Sequence, residues 1–228
     1  MTHKTALLFF SRTASHEAAS KSFVEGKNKK VNQRLSSLLI QSARKTAVRS
    51  GLPFFEINST EQEGNSFGER ISNALASVFS SGFDSVIVIG NDCPQLTVSH
   101  IKTSTEGLAD NKLVLGPDNR GGVYLVGINK AIFNQRGFID LPWQSPELYN
   151  NLRSFMPVEA SLLILPALKD INNFSDLIKV STVLNFSHVV SRFIVSFLSS
   201  FFTTIQASLA GYCSQVSFLS GLRAPPLT

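Results

Sequence analysis

The segment at residues 84–90, with the sequence DSVIVIG, constrains the fold more than any other part of the chain. Its run of valine and isoleucine is unbroken, whereas a strand with one face in solvent alternates apolar and polar side chains. We therefore expect a central parallel strand that is covered on both faces. Ligands of such sheets bind beyond the carboxyl ends of the strands, so the residues after Ile89 are candidates for a site.

Apolar segments of strand length alternate with segments of helical periodicity up to about residue 183. Strands are predicted at residues 5–10, 53–57, 84–90, 112–115, 123–128 and 161–165. Helices are predicted at residues 31–50, 67–80 and 97–108, from about Ser145 with Pro146 in the first turn, and after Asn173. This order predicts an α/β fold, in which a mostly parallel central sheet lies between two layers of helices.

The charge of the chain is concentrated near its start. The 228 residues carry a net charge of +5, and eight basic residues but one acid lie between Lys21 and Arg49. This favours an anionic ligand nearby. The basic stretch lacks interleaved aromatic residues, so no nucleic-acid partner is expected. The two cysteines form no zinc or disulfide pattern, and no signal peptide is evident, which predicts a cytoplasmic protein.

The residues from 193 to 222 include no Asp, Glu, Lys, Arg or His. Serine, threonine and glutamine interrupt this run too often for a strong transmembrane helix. We interpret residues 184–228 as a helical extension that packs on the domain formed by residues 1–183 or on a second copy of the chain. Peripheral membrane contact is the alternative, because an apolar surface of this size must be covered.

Three polar segments follow predicted strands. In the first, GNDCPQL at residues 90–96, Asp92 lies between a glycine and a proline and could bind a hard cation such as Mg²⁺, or else cap the next helix. In the second, GPDNRGGVYLVG at residues 116–127, the amides of the glycine pair and Arg120 could hold a sugar or phosphate oxygen, or form a simple turn. In the third, KDINN at residues 169–173, Asp170 and Asn172 share one face and could complete the cation site.

Together with QEG at residues 62–64, FGER at 67–70 and Trp143, these segments resemble the DUF2064 family of GT-A-fold, glycosyltransferase-like proteins. The resemblance spans residues 62–177. It implies a GT-A or Rossmann-like fold, a Mg²⁺ or Mn²⁺ ion held by Asp92, Asp170 and Asn172, and relatives among the 2-phospho-lactate guanylyltransferases and molybdenum-cofactor nucleotidyltransferases. It also implies nucleotide or substrate contacts for the matching residues Arg70, Asn91, Asp118, Gly121, Gly122 and Tyr124.

Two departures from the family pattern bear on activity. The P-G-x-x-K-T-R-L loop expected after the first strand is missing, so phosphate binding would fall to Arg12, Lys21 and their basic neighbours. Arg120 replaces the acid that usually precedes the glycine pair, although Asp118 lies two positions earlier. A changed donor or acceptor, or a loss of activity, would fit both departures.

The sequence thus predicts a metal-assisted glycosyltransferase that uses a nucleoside diphosphate-sugar and a small acceptor, with Asp92 and Arg120 as catalytic residues. Nucleotidyl transfer to a phosphorylated small acceptor is the first alternative. A nucleotide-binding or scaffolding protein without catalytic activity is the second. A homo-oligomer formed through the C-terminal extension fits all three.

Overall fold

The computed structural model describes residues 4–23, 29–110, 113–154, 161–184, 189–197 and 199. Within these residues, six strands form one sheet: β1 (Thr5–Phe10), β2 (Phe54–Ile57), β3 (Ser85–Ile89), β4 (Leu113–Pro117), β5 (Val123–Asn129) and β6 (Leu162–Ile164). The helices are α1 (Ala14–Ser20), α2 (Lys29–Arg49), α3 (Phe67–Ser80), α4 (Val98–Ala109), α5 (Gln135–Ile139), α6 (Leu148–Ser154) and α7 (Phe174–Ser181), with a 3-10 turn at Lys130–Ile132.

The sheet has the strand order β2-β1-β3-β5-β4-β6 and is mostly parallel. Strand β5 runs antiparallel to both of its neighbours, β3 and β4, while the remaining pairs are parallel. All five residues of β3 are buried, which confirms the central strand predicted from its composition. One of its neighbours is antiparallel, because β4 and β5 form a hairpin around the short turn after Pro117.

Helices cover both faces of the sheet and give the predicted three-layer α/β sandwich. On one face, Leu8 of β1 and Val88 of β3 pack with Leu75 of α3 and with buried residues of α5 and α6. On the other face, Leu7 and Ile87 pack with residues of α2 and α4. Alternate residues of each central strand therefore point into two separate apolar layers.

The helix predicted from about Ser145 begins three residues later, at Leu148. Residues 143–147 form turns and a bend instead, and Gln144 among them has a φ of 63°, in the left-handed region. Pro146 consequently lies in the turn before α6 rather than in its first turn. Two short helices, α1 and α5, were not predicted from the sequence.

A third apolar cluster joins the later part of the chain to α2. Residues 189–197 are helical, and Val190 and Ile194 are buried against Leu35 of α2 and Leu177 of α7. Residues 198 and 200–228, which include most of the uncharged run, lie outside the described residues. No helix among the described residues is long and apolar enough to span a membrane. The division into residues 1–183 and 184–228 stays a prediction.

Candidate functional site

A cavity of about 600 Å³ opens at the sheet edge formed by the carboxyl ends of β1 and β3 and the start of β5. This is the edge at which the composition of β3 predicted a ligand site. Every predicted site residue except Gly121 lies in its wall: Arg12, Lys21, Arg70, Asn91, Asp92, Asp118, Arg120, Gly122, Tyr124, Asp170 and Asn172. Residues separated by up to 160 positions in the chain are thus brought together at one site.

Asp92 occupies the turn that follows β3, where its side chain is 36% exposed. The Asn91 side-chain amide donates a hydrogen bond to Asp92 Oδ1 over 3.0 Å. The backbone carbonyl of Asp92 accepts a hydrogen bond from the amide of Ile171 over 2.8 Å. This backbone bond holds the segment containing Asp170 and Asn172 beside the end of β3, as the cation-site prediction requires.

Lys21 forms ion pairs with two carboxylates. Its Nζ lies 2.6 Å from Asp92 Oδ1 and 2.9 Å from Glu17 Oε1, and Arg12 approaches the other Glu17 oxygen at 3.9 Å. The side chain of Glu17 is only 4% exposed. Glu17 is a site residue that sequence reasoning missed. Glu17 lies four residues before Lys21, and side chains at this spacing are neighbours on a helix. The pair was missed because the short helix α1 was not predicted.

Asp170 is a half-buried acid close to two other acids. Burial, and then the negative charges of Asp92 and Asp118, raise the pKa of Asp170 to about 8. Its Oδ1 is buried and has no hydrogen-bond partner among the described residues. A carboxylate with an unpartnered buried oxygen beside other carboxylates suits a divalent cation, which would relieve the repulsion.

The described residues contain no group of three His, Cys, Asp or Glu side chains placed to ligate one ion. A site with only two carboxylates still fits Mg²⁺ or Mn²⁺. Mg²⁺ is commonly bound through one or two protein carboxylates, and water and substrate phosphates complete its coordination. Asp92 and Asp170 are the candidate pair of carboxylates, because after burial the negative charge of Asp92 is the next cause of the raised pKa of Asp170.

The glycine pair is explained by packing within the chain. Gly121 has a φ of 87°, and a Cβ on it would lie 1.9 Å from the carbonyl oxygen of Pro146. A Cβ on Gly122 would lie 2.4 Å from Asp118 Oδ2. The Gly122 amide donates to Asp118 Oδ1 over 2.8 Å, so it is already engaged. The Gly122 amide is therefore occupied within the turn, and the predicted oxygen-binding role of the glycine pair stays a prediction.

Arg120 connects the β4–β5 turn to α7. Its guanidinium donates to the carboxylate of Asp176, which is buried at the start of α7. The second Asp176 oxygen accepts from the backbone amide of Asn172 over 3.1 Å. Asp176 thereby fixes both Arg120 and the Asp170–Asn172 segment.

The rest of the wall is largely apolar and aromatic. Phe67 lies between Phe10 and Trp143, with ring centroids 5.7 and 5.5 Å away. Arg70, one helical turn after Phe67, has no carboxylate partner among the described residues. The Tyr124 hydroxyl donates to the carbonyl of Pro166 over 2.9 Å. Arg70 is thus a cation of the cavity that remains available to an anionic ligand.

A family model described as an uncharacterized protein conserved in bacteria (DUF2064) matches residues 29–145, just over half of the chain. The chain belongs to the DUF2064 family. The DUF2064 match includes Arg70, Asp92 and Arg120, and it ends before Asp170. No curated protein sequence matches the chain.

A solved structure supports the GT-A-like fold of this DUF2064 protein. A protein provisionally assigned as a nucleotide-diphospho-sugar transferase from Desulfovibrio desulfuricans G20 is similar with a TM-score of 0.75 and 19% identity, over 86% of this chain and 95% of the other. Rv0371c from Mycobacterium tuberculosis H37Rv gives a TM-score of 0.47 with 13% identity, over 78% and 98%. Its manganese complex gives 0.44 with 11% identity, over 78% and 97%. At 19% identity the likeness to the Desulfovibrio protein establishes the fold alone.

Proposed function

We propose that this DUF2064 protein is a metal-assisted glycosyltransferase that uses a nucleoside diphosphate-sugar donor. The observation that carries the proposal is the proximity of Asp92 and Asp170 in a cavity that also contains Arg12 and Arg70. Neighbouring carboxylates suit a divalent cation, and guanidinium groups suit the phosphates of a donor. The fold is common to many activities, so the support comes from these side chains.

Asp92 and Asp170 would hold Mg²⁺ or Mn²⁺, with the side-chain oxygen of Asn172 as a third candidate ligand. When bound, the cation neutralises charge on the diphosphate leaving group. The protein's own cations complement this in the cavity wall, where Arg12 and Arg70 bind donor phosphates and Lys21 provides a further positive charge.

Arg120 is proposed as a donor-binding residue with a fixed orientation. A guanidinium has five N–H groups, and the contact with Asp176 leaves others for an oxygen of the donor. Its side chain is 51% exposed, so these groups are accessible. Asn91 and Tyr124 line the same wall and are expected to orient the ligand. Phe10, Phe67 and Trp143 form an aromatic part of the same cavity wall.

The products of the reaction test this proposal. The protein is incubated with a panel of nucleoside diphosphate-sugars, nucleoside triphosphates and small acceptors in the presence of Mg²⁺ or Mn²⁺. Release of a nucleoside diphosphate supports glycosyl transfer. Release of pyrophosphate from a triphosphate would contradict it in favour of nucleotidyl transfer, and metal-dependent binding without turnover across the panel would favour a non-catalytic protein.

Nucleotidyl transfer to a phosphorylated small acceptor is the second candidate, and a second cavity favours it. This cavity, of about 290 Å³, shares Asp118, Arg120 and Asp170 with the main cavity. Its wall also contains Lys169 and Lys179, which are exposed and have no carboxylate partner among the described residues. An acceptor phosphate bound by these lysines would lie next to the proposed cation site. Replacing both lysines with methionine should then raise the KM for the acceptor and leave nucleotide affinity unchanged.

A further inference from the structure

The ammonium group of Lys21 occupies the position beside Asp92 that a divalent cation would need. Its Nζ lies 2.6 Å from Asp92 Oδ1, the oxygen that the Asn91 amide also contacts. The lysine side chain is only 13% exposed. The carboxylates of both Asp92 and Glu17 lie within 3 Å of this ammonium group. A monovalent cation thus already neutralises Asp92.

Lys21 is held in place by ionic contacts. Its Nζ is buried, and both of its carboxylate contacts are short enough to be charge-assisted hydrogen bonds. Buried ion pairs of this kind add little net stability, because removing both charges from water offsets most of their attraction. An arrangement that contributes little to folding, and that lines a ligand cavity, points to a role in binding.

Glu17 gives Lys21 a second partner that is independent of Asp92. Glu17 and Lys21 are one helical turn apart at the end of α1, and the Lys21 amide donates to the Glu17 carbonyl over 3.0 Å. Arg12 lies on the other side of the Glu17 carboxylate. If a cation replaced the ammonium group at Asp92, Lys21 would keep Glu17 as its counter-charge. The structure therefore contains what an exchange of cations at Asp92 needs.

We propose that Lys21 is the resident counter-ion of Asp92 and that a divalent cation binds this site only by displacing it. The identity of the incoming cation rests on the proposed function, whereas the role of Lys21 follows from its contacts. Lys21 therefore weakens the binding of a divalent cation in the absence of nucleotide. After displacement, Lys21 would remain beside Glu17 in the cavity wall, where its ammonium group could form an ion pair with a donor phosphate.

The experiment measures Mn²⁺ binding alone, with no nucleotide present, by electron paramagnetic resonance of the free ion. Lys21→Met should bind Mn²⁺ about tenfold more tightly than the wild type, because a positive charge next to the site is removed. Since Lys21→Met leaves the buried Glu17 carboxylate uncompensated, the double variant Glu17→Gln/Lys21→Met is measured as well. It should also bind more tightly than the wild type.

Two controls separate exchange at Asp92 from a general charge effect. Lys29→Met removes the same charge from an exposed position on α2 and should leave Mn²⁺ affinity unchanged. Adding Asp92→Asn to Lys21→Met should abolish the gain. Three results would overturn the proposal. Both Lys21 variants bind Mn²⁺ no more tightly than the wild type, Lys29→Met gains as much Mn²⁺ affinity as Lys21→Met, or no variant binds Mn²⁺. Glycosyl transfer is judged separately by its products, so the two can fail independently.

Discussion

At the scale of single residues, Asp170 has the clearest thermodynamic consequence. Burial and the charges of Asp92 and Asp118 raise the pKa of its carboxyl to about 8, from an ordinary value near 4. Between about pH 4 and pH 8 the folded protein therefore binds a proton that the unfolded chain releases. The contribution of Asp170 to the free energy of unfolding is fully present at low pH and falls as the pH rises through this window.

Asp170→Asn should remove this pH dependence. The amide cannot ionise. The free energy of unfolding of the variant minus that of the wild type should therefore be roughly 2–5 kcal/mol larger at pH 8.5 than at pH 4. Urea unfolding at the two pH values measures this double difference. The exposed acid Asp140, changed to Asn, is the control and should give a difference near zero. A wild-type minus variant difference that is the same at both pH values would contradict the assigned pKa shift.

Arg120→Ala should weaken donor binding more than Lys29→Ala does. A guanidinium held by Asp176 presents a fixed set of donors to a phosphate, whereas Lys29 is an exposed residue of α2. We expect a loss of about tenfold in donor affinity for Arg120→Ala, partial recovery in Arg120→Lys, and no change for Lys29→Ala, in calorimetric titrations. Similar donor affinities for the two alanine variants would contradict a role of Arg120 in donor binding.

At the scale of elements, the β4–β5 turn is shaped by the chain itself. Asp118 Oδ1 accepts hydrogen bonds from the backbone amides of Arg120 and Gly122, over 2.6 and 2.8 Å. The amide of Tyr149 donates to the carbonyl of Gly121 over 2.9 Å. These bonds join the turn to α6 and set the position from which Arg120 reaches Asp176.

Gly121→Ala should destabilise the protein by more than a positive φ alone explains. Its new methyl group would meet the Pro146 carbonyl, whereas a methyl group on Gly51, which has a φ of 76°, would meet nothing within 4 Å. Gly51→Ala is therefore the matched control, with an expected loss of about 1 kcal/mol from backbone strain. Gly121→Ala should lose a further ~1–3 kcal/mol from the steric conflict, measured by urea unfolding. Equal losses of stability in the two variants would mean that the turn moves to accommodate the methyl group with no further loss of free energy.

Elements that depend on local sequence were predictable. The central strand β3 follows from its unbroken apolar run, and α7 from Asn173, which caps it by accepting from the amide of Asp176. The site segments were predicted because each one follows a strand and matches a family motif. Contacts between distant segments were not predictable. The pairing of Arg120 with Asp176 and of Lys21 with Asp92 depends on a tertiary arrangement that no local pattern contains.

At the scale of the whole molecule, the C-terminal part of the chain contributes to the core. Val190 and Ile194 are fully buried, together with Phe23, Leu35 and Leu177. The sequence predicts that a chain ending after Leu184 still folds. Two buried aliphatic side chains lie beyond that point, so such a chain should also be less stable.

Truncation after Leu184 should give a folded, metal-binding domain with a lower melting temperature. Losing the burial of Val190 and Ile194 removes about 3–6 kcal/mol of apolar stabilisation. The full-length variant Val190→Ala/Ile194→Ala is the control, because it creates the same defect and keeps the rest of the segment. Calorimetry and sedimentation report stability and oligomeric state. A truncated chain without a cooperative melt would show that residues 184–228 belong to the domain and that the boundary at residue 183 is wrong.

The central claim is that Asp92 anchors divalent-cation-dependent nucleotide binding in the main cavity. Trp143 is the only tryptophan of the chain and lies in the cavity wall, so its fluorescence reports ligand binding directly. The measurement is a titration with nucleoside diphosphates, with and without Mn²⁺, on the wild type and Asp92→Ala. We predict that Mn²⁺ tightens binding to the wild type and that Asp92→Ala loses about 1–3 kcal/mol of the binding free energy with its fold intact. Equal affinities for the two proteins, with or without Mn²⁺, would contradict the account.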